Sequence, residues 1–225
     1  MKREVFITAD GSTSIHLPEL NEQYHSKNGA IQEAYHVFIK QGLDEFVDES
    51  EVAILEIGLG TGLNCFITFL ESVKRKLIVD YYGVEAYPIS VNESEKMNFV
   101  AQLNKENVAT IFSKIHIANW EEKIIIQSNF TLTKQQKLFK DIKDKNKFNL
   151  IYFDAFGAAV QPELWTEAIF KKMYDALQEN GILVTYSAKG SVRRAMQAVG
   201  FTVERLPGPI GKREMLRAKK INLIF

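Results

Sequence analysis

Three glycines at alternate positions are the feature whose spacing most directly indicates chemistry. Gly58, Gly60 and Gly62 follow the apolar run AILEI and precede a segment that begins a helix near Leu63. Glycines let the backbone turn tightly and approach a ligand closely, and the amides at a helix start then face that ligand. A dinucleotide site would need its third glycine at position 63. The spacing E-x-G-x-G-x-G, which begins at Glu56, instead predicts an S-adenosylmethionine site, with a purely structural turn as the alternative.

Acidic residues end two of the apolar runs that follow. Glu85 ends the run IVDYYGVEA, where an acid can accept hydrogen bonds from the two ribose hydroxyls of a nucleoside. Asp154 ends the run NLIYFDAF, at the sheet edge where open α/β folds bind ligands. The loop GAAVQPELW separates Asp154 from the next helix, so a capping role is disfavoured. We expect Glu85 to bind cofactor, a surface glutamate being the alternative, and Asp154 to act in catalysis or substrate binding.

A polar residue and an aromatic residue end the apolar run KIHIANW. Asn119 could contact the adenine ring through its amide, and Trp120 could form an apolar wall beside it. A plain core role for the tryptophan is the equal alternative.

Apolar and helical runs alternate along most of the chain, which is typical of a parallel sheet with helices on both faces. We therefore predict an α/β, Rossmann-like class I methyltransferase sheet over residues 49–225. Residues 1–48 are expected to form an arm, with a β-hairpin around Asp10-Gly11 and a helix between Asn28 and Gly42. In this alternation KIHIANW takes the place of a strand and residues 134–147 that of a Lys-rich helix.

Composition narrows the class of protein. The chain has 225 residues, a formal net charge of zero and one cysteine, Cys65, so a disulfide framework or a cysteine zinc cluster within one chain is excluded and no metal is predicted. The N-terminus lacks the apolar run of a signal peptide, and no apolar run is long enough to span a membrane. These features favour one domain in the cytoplasm.

Basic residues are concentrated near the C-terminus. Residues 189–220 carry nine lysines or arginines against two glutamates. We expect this segment to hold RNA phosphates by charge, especially through Arg193, Arg194, Lys212 and Arg213. A solvated helix face is the simpler interpretation of the second Lys-rich stretch, 134–147.

Three longer strings carry a resemblance that covers about Thr8 to Arg217. They are DAFGAAVQPELWTEAIF, YHSKNGAIQEAYHVFI and SVRRAMQAVGF…GKREML. They resemble the methyltransferase domain of the MnmC family, which makes 5-methylaminomethyl uridine at the tRNA wobble position. The resemblance implies methyl transfer from S-adenosylmethionine to the amine of 5-aminomethyl-(2-thio)uridine, with Asp154 contacting that amine. Two departures are that Asn119 replaces a common aspartate and that the loop GAAVQPELW lacks a common lysine.

The resemblance also implies further contacts and partners. One segment of the family is expected to close over the cofactor or the wobble base. In this chain it is matched by Tyr24, His25, Gln32 and Glu33. His25 is either a general base or a structural residue. Phe156 and Trp165 could stack on the base, although Trp165 also suits a helix core. The expected partner is the anticodon arm of tRNA, and no flavin is expected because larger members carry their oxidase in a separate domain.

Two rival functions remain at this stage. An aminopropyltransferase of the spermidine synthase type shares the sheet and its strand-end acids but carries a D-x-x-D pattern, whereas Gly157 stands third after Asp154. A non-catalytic module that binds tRNA through the basic segment is the other. Transfer of labelled methyl groups to tRNA distinguishes the rivals.

Overall fold

A mostly parallel eight-stranded sheet forms the centre of the molecule. The computed structural model describes residues 2–221. The sheet order is β10-β11-β9-β8-β4-β5-β7-β6, with parallel pairing from β9 through β7 and antiparallel pairing at both edges. Its strands are β4 (Glu51–Ile57), β5 (Ile78–Val84), β6 (Lys123–Gln127), β7 (Phe130–Gln135), β8 (Phe148–Phe153), β9 (Leu177–Thr185), β10 (Thr202–Pro207) and β11 (Glu214–Lys219).

Helices cover both faces of this sheet. They are α1 (Ala30–Ala34), α2 (Leu63–Arg75), α3 (Val91–Ser94), α4 (Phe99–Gln102), α5 (Ala109–Ile117), α6 (Glu167–Ala176) and α7 (Gly190–Ala198). One apolar core contains side chains of α2 and α5, including Phe66 and Phe112, and the other contains side chains of α6 and α7, including Phe170 and Met196. Since helices cover both faces, the residues of the central strands are nearly all apolar. The predicted α/β fold with helices on both faces is confirmed.

The N-terminal arm forms a second, small sheet. Strands β1 (Glu4–Ile7), β2 (Thr13–Leu17) and β3 (Glu22–Gln23) pair antiparallel, and the β1–β2 turn contains Asp10 and Gly11 as predicted. The predicted helix begins later than expected, at Ala30, and continues as a π-helical turn over Tyr35–Lys40, ending just before Gly42. Asn28 does not cap it, because its side chain donates instead to the carbonyl of Ile210 at 3.1 Å. The domain boundary at residue 48 stays a prediction.

The prediction was wrong between β5 and β8. The string KIHIANW is not a strand: its first four residues complete α5, whose buried Phe112 and Ile115 are three positions apart on one helix face. The Lys-rich segment is not a helix, since it contains the end of β7 and one short helical turn over Phe139–Asp141. The strands of this region are the hairpin β6–β7, in which KIIIQ and FTLTKQ pair.

Two smaller differences concern element ends. The run SVNESEKMNFVAQLNK, residues 90–105, has the pattern of one helix but forms two short helices, α3 and α4. Between them Asn98 accepts the amide hydrogen of Thr13 in the arm. The run REMLRAKKINLIF, residues 213–225, contains β11, which ends at Lys219. Residues 222–225 of this run lie outside the described residues. No helix within residues 2–221 is long and apolar enough to cross a membrane.

Candidate functional site

A cavity of about 560 Å³ opens at the carboxyl ends of β4, β5 and β8. It lies where the strands of an open parallel sheet leave room for a ligand, and its volume suits a nucleoside-sized molecule. The loops after these three strands, the arm and the β10–β11 loop line it. The sequence-predicted residues among its lining are Tyr24, His25, Glu33, Gly58, Gly60, Glu85, Asp154, Phe156 and Lys212.

The glycine loop approaches its neighbours more closely than a side chain allows. Gly58 has a φ of +88°, and a Cβ there would lie 2.6 Å from the carbonyl oxygen of Asp154. Gly60 donates its amide hydrogen to Glu85 Oε2 at 3.1 Å, and Tyr87 donates to Glu85 Oε1 at 2.9 Å. These bonds fix the Glu85 carboxylate at the cavity wall, next to the loop. Gly62 then serves as the N-cap residue of α2.

Glu56 lies beneath the cavity and does not line it. Its side chain is fully buried and accepts hydrogen bonds from Asn64 Nδ2 and from Tyr81 Oη, each at 2.9 Å. Burial raises the pKa of Glu56 well above its ordinary value. The expected cofactor-contact position is thus occupied by a buried acid that supports the floor of the site.

Asp154 stands at the cavity wall on the β8 side. Its Oδ2 accepts from Asn64 Nδ2 at 2.9 Å, so one amide group joins Asp154 to Glu56. Desolvation is the largest cause that raises the pKa of Asp154, and the negative charge of Glu33 is the second. The hydrogen bond from Asn64 and the charge of Lys212 lower it, and the resulting pKa is about 7. A carboxyl group with this pKa exchanges its proton near neutral pH, as a general base does.

The arm forms the roof of the cavity through Tyr24 and His25. Tyr24 packs edge-on against Phe156, with ring centroids 5.2 Å apart, and lies above Gly60. His25 Nδ1 is 3.0 Å from Ser14 Oγ, and its Nε2 is 3.2 Å from Thr61 Oγ1.

Both ring nitrogens of His25 are therefore engaged, and burial lowers its pKa to about 4. His25 thus connects the hairpin to the glycine loop as a neutral group, which favours the structural alternative. Gln32 is exposed and does not line the cavity, and its backbone N–H donates to Asp10.

The two aromatic candidates for base stacking differ in exposure. Phe156 lines the cavity. Trp165 is only 5% exposed and donates its Nε1 hydrogen to the carbonyl of Phe156 at 2.7 Å. Trp165 thus belongs to the core, where it fixes the backbone of Phe156.

Asn119 and Trp120 lie outside the cavity lining. Asn119 is exposed and donates to Glu122 at 2.9 Å, and Trp120 packs under the ammonium of Lys134. The wall on that side comes instead from Leu138 and Phe139, which follow β7. Sequence reasoning missed this wall because it assigned the third parallel strand to KIHIANW.

The basic segment divides between internal and exposed charges. Lys212 points toward the cavity, where its Nζ pairs with Glu33 at 2.5 Å and lies 3.9 Å from the ring centroid of Tyr186. Arg193 and Arg194 lie on α7 and line no described cavity. A shallow cleft beside the cavity shares Lys212 and Tyr186 with it and is also lined by Lys189, Arg205, Arg213 and Glu214.

Sequence reasoning missed several of these residues. Tyr186, Lys189, Arg205 and Asn64 were not selected, although Asn64 was visible as the polar residue directly after the glycine loop. Among residues 2–221, no group of three or more His, Cys, Asp or Glu is placed to hold a metal ion.

Comparisons with known proteins show which family and which fold the chain shares. A family model described as S-adenosyl-L-methionine-dependent methyltransferase matches residues 96–221. The tRNA 5-methylaminomethyl-2-thiouridine biosynthesis bifunctional protein MnmC of Paraburkholderia xenovorans is 27% identical over 220 residues, covering 88% of this chain and 32% of that protein. The chain thus spans about a third of the length of the curated relatives it matches.

Two solved structures share the fold. The crystal structure of MNMC2 from Aquifex aeolicus has a TM-score of 0.76 at 24% identity, covering 96% of this chain and 69% of that one. Spermidine synthase from Thermotoga maritima has a TM-score of 0.51 at 13% identity, covering 98% of this chain and 72% of that one.

Proposed function

Since the chain belongs to the S-adenosyl-L-methionine-dependent methyltransferase family, we propose that it methylates the amine of 5-aminomethyl-(2-thio)uridine at the wobble position of tRNA. The product is 5-methylaminomethyl-(2-thio)uridine. The observation that carries the proposal is the carboxyl group of Asp154, which stands in the same cavity as the glycine loop and has a pKa near 7. The relatives that the chain resembles are named for the biosynthesis of 5-methylaminomethyl-2-thiouridine in tRNA, and this supports the substrate class.

The cofactor side of the proposed site consists of the glycine loop and Glu85. When bound, S-adenosylmethionine supplies a methyl group on a sulfonium that is already activated for transfer. The Glu85 carboxylate, held by the amides of Gly60 and Tyr87, retains lone pairs that can accept from ribose hydroxyls. Leu138 and Phe139 suit the adenine wall better than Asn119 and Trp120, which lie outside the cavity.

The substrate side is assigned to Asp154 and Phe156. Methyl transfer requires an uncharged nitrogen aligned with the methyl carbon. In the proposed step a nitrogen–carbon bond forms, the carbon–sulfur bond breaks and the sulfur keeps its electron pair. Asp154 accepts a hydrogen bond from the amine before transfer and the surplus proton afterwards, which then passes to solvent. Phe156 lines the cavity, packs edge-on against Tyr24, and is assigned as the residue that stacks on the pyrimidine.

The RNA-facing surface is assigned to the basic cleft, defined as Lys189, Arg205 and Arg213 beside the cavity. All three side chains are exposed, and the cleft is continuous with the substrate side through Tyr186 and Lys212. Phosphates of an anticodon arm could therefore lie in the cleft while the wobble base enters the cavity. Arg193 and Arg194 would add charge at greater distance. A cytoplasmic location, where tRNA is modified, fits this proposal.

Transfer of labelled methyl groups tests the proposal. Purified protein is incubated with S-adenosylmethionine and tRNA that carries 5-aminomethyl uridine, and in parallel with decarboxylated S-adenosylmethionine and putrescine. We expect label in the tRNA and no spermidine. Binding of tRNA without label would support the non-catalytic module, and spermidine formation would support the aminopropyltransferase.

A further inference from the structure

Asn64 carries a buried hydrogen-bond acceptor that the described residues leave without a partner. Its side chain is 4% exposed and lines the cavity. Both hydrogens of Nδ2 are used, one by Glu56 Oε1 and one by Asp154 Oδ2, each at 2.9 Å. Its Oδ1 accepts no hydrogen bond. An unpaired buried carbonyl oxygen costs about 1–3 kcal/mol, so such an atom at a cavity wall indicates a donor that arrives with a ligand.

The orientation of the Asn64 amide is fixed by its surroundings. The ionised Asp154 carboxylate can only accept hydrogen bonds, so the NH2 side of the Asn64 amide must face it, and the same NH2 group donates to Glu56. The position of Asn64, second in α2 and directly after the glycine loop, holds the amide against β4 and β8. The unpaired oxygen belongs to the same amide group that donates to Asp154, so it lies next to the Asp154 carboxylate.

We propose that Asn64 is a catalytic residue whose Oδ1 accepts one hydrogen of the substrate amine while Asp154 accepts the other. The inference rests on the function proposed above. A neutral primary amine has two N–H bonds and one lone pair in tetrahedral arrangement. If two fixed acceptors hold both hydrogens, the direction of the lone pair follows, and it can be aligned with the carbon–sulfur bond.

The neutral amide also suits the change of charge during transfer. As the nitrogen becomes positive, its N–H bonds polarise, so hydrogen bonds to Asn64 and Asp154 strengthen in the transition state. An ionised carboxyl in place of the amide would lie within hydrogen-bond distance of two other acids, Glu56 and Asp154, and would be repelled by their charge. Lys212 and Tyr186 complete the set of charged and titratable groups facing Asp154.

The test compares Asn64→Leu, Asn64→Ser and a matched control, Thr68→Val, with the unmodified protein. Thr68 lies one helical turn further along α2, is fully buried, donates to Tyr152 and does not line the cavity. The measurements are kcat for methyl transfer to tRNA carrying 5-aminomethyl uridine, the affinity for S-adenosylhomocysteine, and the titration of the Asp154 carboxyl carbon by 13C NMR.

We expect Asn64→Leu to lower kcat by about 100-fold and Asn64→Ser by at least about tenfold, with S-adenosylhomocysteine affinity within about threefold of the unmodified protein. The titration of Asp154 should move to higher pH in Asn64→Leu, because the bond that favours the ionised form is lost. Thr68→Val should match the unmodified protein in all three measurements.

Three outcomes would overturn the inference: a kcat for Asn64→Ser within about twofold of the unmodified protein, an equal loss in Thr68→Val, or a parallel loss of S-adenosylhomocysteine affinity. If Asn64→Leu does not fold, Asn64→Ser decides alone. Absence of transfer by the unmodified protein is a separate result and contradicts the proposed function itself. The NMR titration still reports the Asn64–Asp154 bond in that case.

Discussion

At the scale of single residues, the two acids of the cavity have different environments, which supports the different roles proposed for them. Glu85 accepts hydrogen bonds from two backbone amides next to the glycine loop. Asp154 receives one side-chain bond and is largely desolvated, so its pKa lies near 7. One acid is suited to bind hydroxyls and the other to exchange a proton.

Substitution should separate the two roles. In Asp154→Asn we expect kcat for methyl transfer to fall by about 100-fold or more, because the proton acceptor is lost, while S-adenosylmethionine affinity is retained. Glu85→Gln should show the reverse pattern, with affinity for S-adenosylmethionine lowered by about tenfold. Steady-state kinetics and calorimetry measure both quantities. Equal effects of the two substitutions on kcat and on affinity would contradict the assignment.

The rate should depend on pH through Asp154. Its pKa is raised, so the carboxylate form that accepts the proton predominates above about pH 7 and is lost as the pH falls below that value. Below the pKa of Asp154, we expect kcat/KM to decline about tenfold for each pH unit. The neighbouring charges Glu33 and Lys212 act on this pKa in opposite directions. A profile that stays flat from about pH 5 to about pH 8, roughly two units below and one unit above this pKa, would exclude this role.

The sequence predicts those site residues whose position depends only on a neighbouring strand. Gly58, Glu85 and Asp154 directly follow apolar strands, so their location at the sheet edge is determined within a few residues. Asn119 depended instead on which run forms the third parallel strand. The pairing of Lys212 with Glu33 joins residues 179 positions apart, and no local pattern indicates it.

At the scale of elements, the hairpin of the arm is attached to the glycine loop. His25 joins Ser14 on β2 to Thr61 between β4 and α2, and Tyr24 covers Gly60. The arm therefore forms one wall of the cavity. Its alternating pattern around Asp10-Gly11 predicts the hairpin correctly, but the contact with the loop depends on tertiary packing.

Removing the His25 ring should weaken cofactor binding. In His25→Ala two hydrogen bonds are lost, each contributing about 1 kcal/mol, so we expect S-adenosylmethionine affinity to fall by up to about 30-fold with a smaller change in kcat. Isothermal titration calorimetry measures the affinity. His16→Ala, on the same hairpin but outside the cavity lining, is the control. A complete loss of turnover with affinity unchanged would indicate that His25 is a general base.

The elements predicted wrongly share one cause. In α5 and in the hairpin β6–β7, short apolar runs fit both helix and strand periods, and the choice is made by what they pack against. Elements with longer periodic patterns, such as α2 and α6, were predicted correctly because their apolar stripe extends over several turns.

At the scale of the whole molecule, a net charge of zero conceals an uneven distribution. Much of the charge in residues 189–220 is used internally: Lys212 pairs with Glu33, Arg217 with Glu45 and Glu204, and Lys220 donates to a buried carbonyl. The basic cleft is the part of this segment that faces solvent beside the cavity.

Affinity for tRNA should therefore depend on salt through the cleft. We expect log affinity to fall linearly with log salt concentration, and Arg213→Ala to reduce the magnitude of that slope by about one, because one phosphate contact is lost. Filter binding over a range of salt concentrations measures the slope. Lys145→Ala, an exposed lysine just before the amino end of β8, is the control. Equal slopes for all three proteins would place the RNA elsewhere.

The most direct test of the central claim is nucleoside analysis of tRNA before and after reaction. Purified protein and S-adenosylmethionine are added to tRNA from cells that lack the modification, and the digested nucleosides are separated by mass spectrometry. We expect 5-aminomethyl-(2-thio)uridine to disappear. A nucleoside heavier by one methylene unit, with the methyl group on the side-chain nitrogen, should take its place. An unchanged 5-aminomethyl-(2-thio)uridine, or a methyl group on another atom, would contradict it.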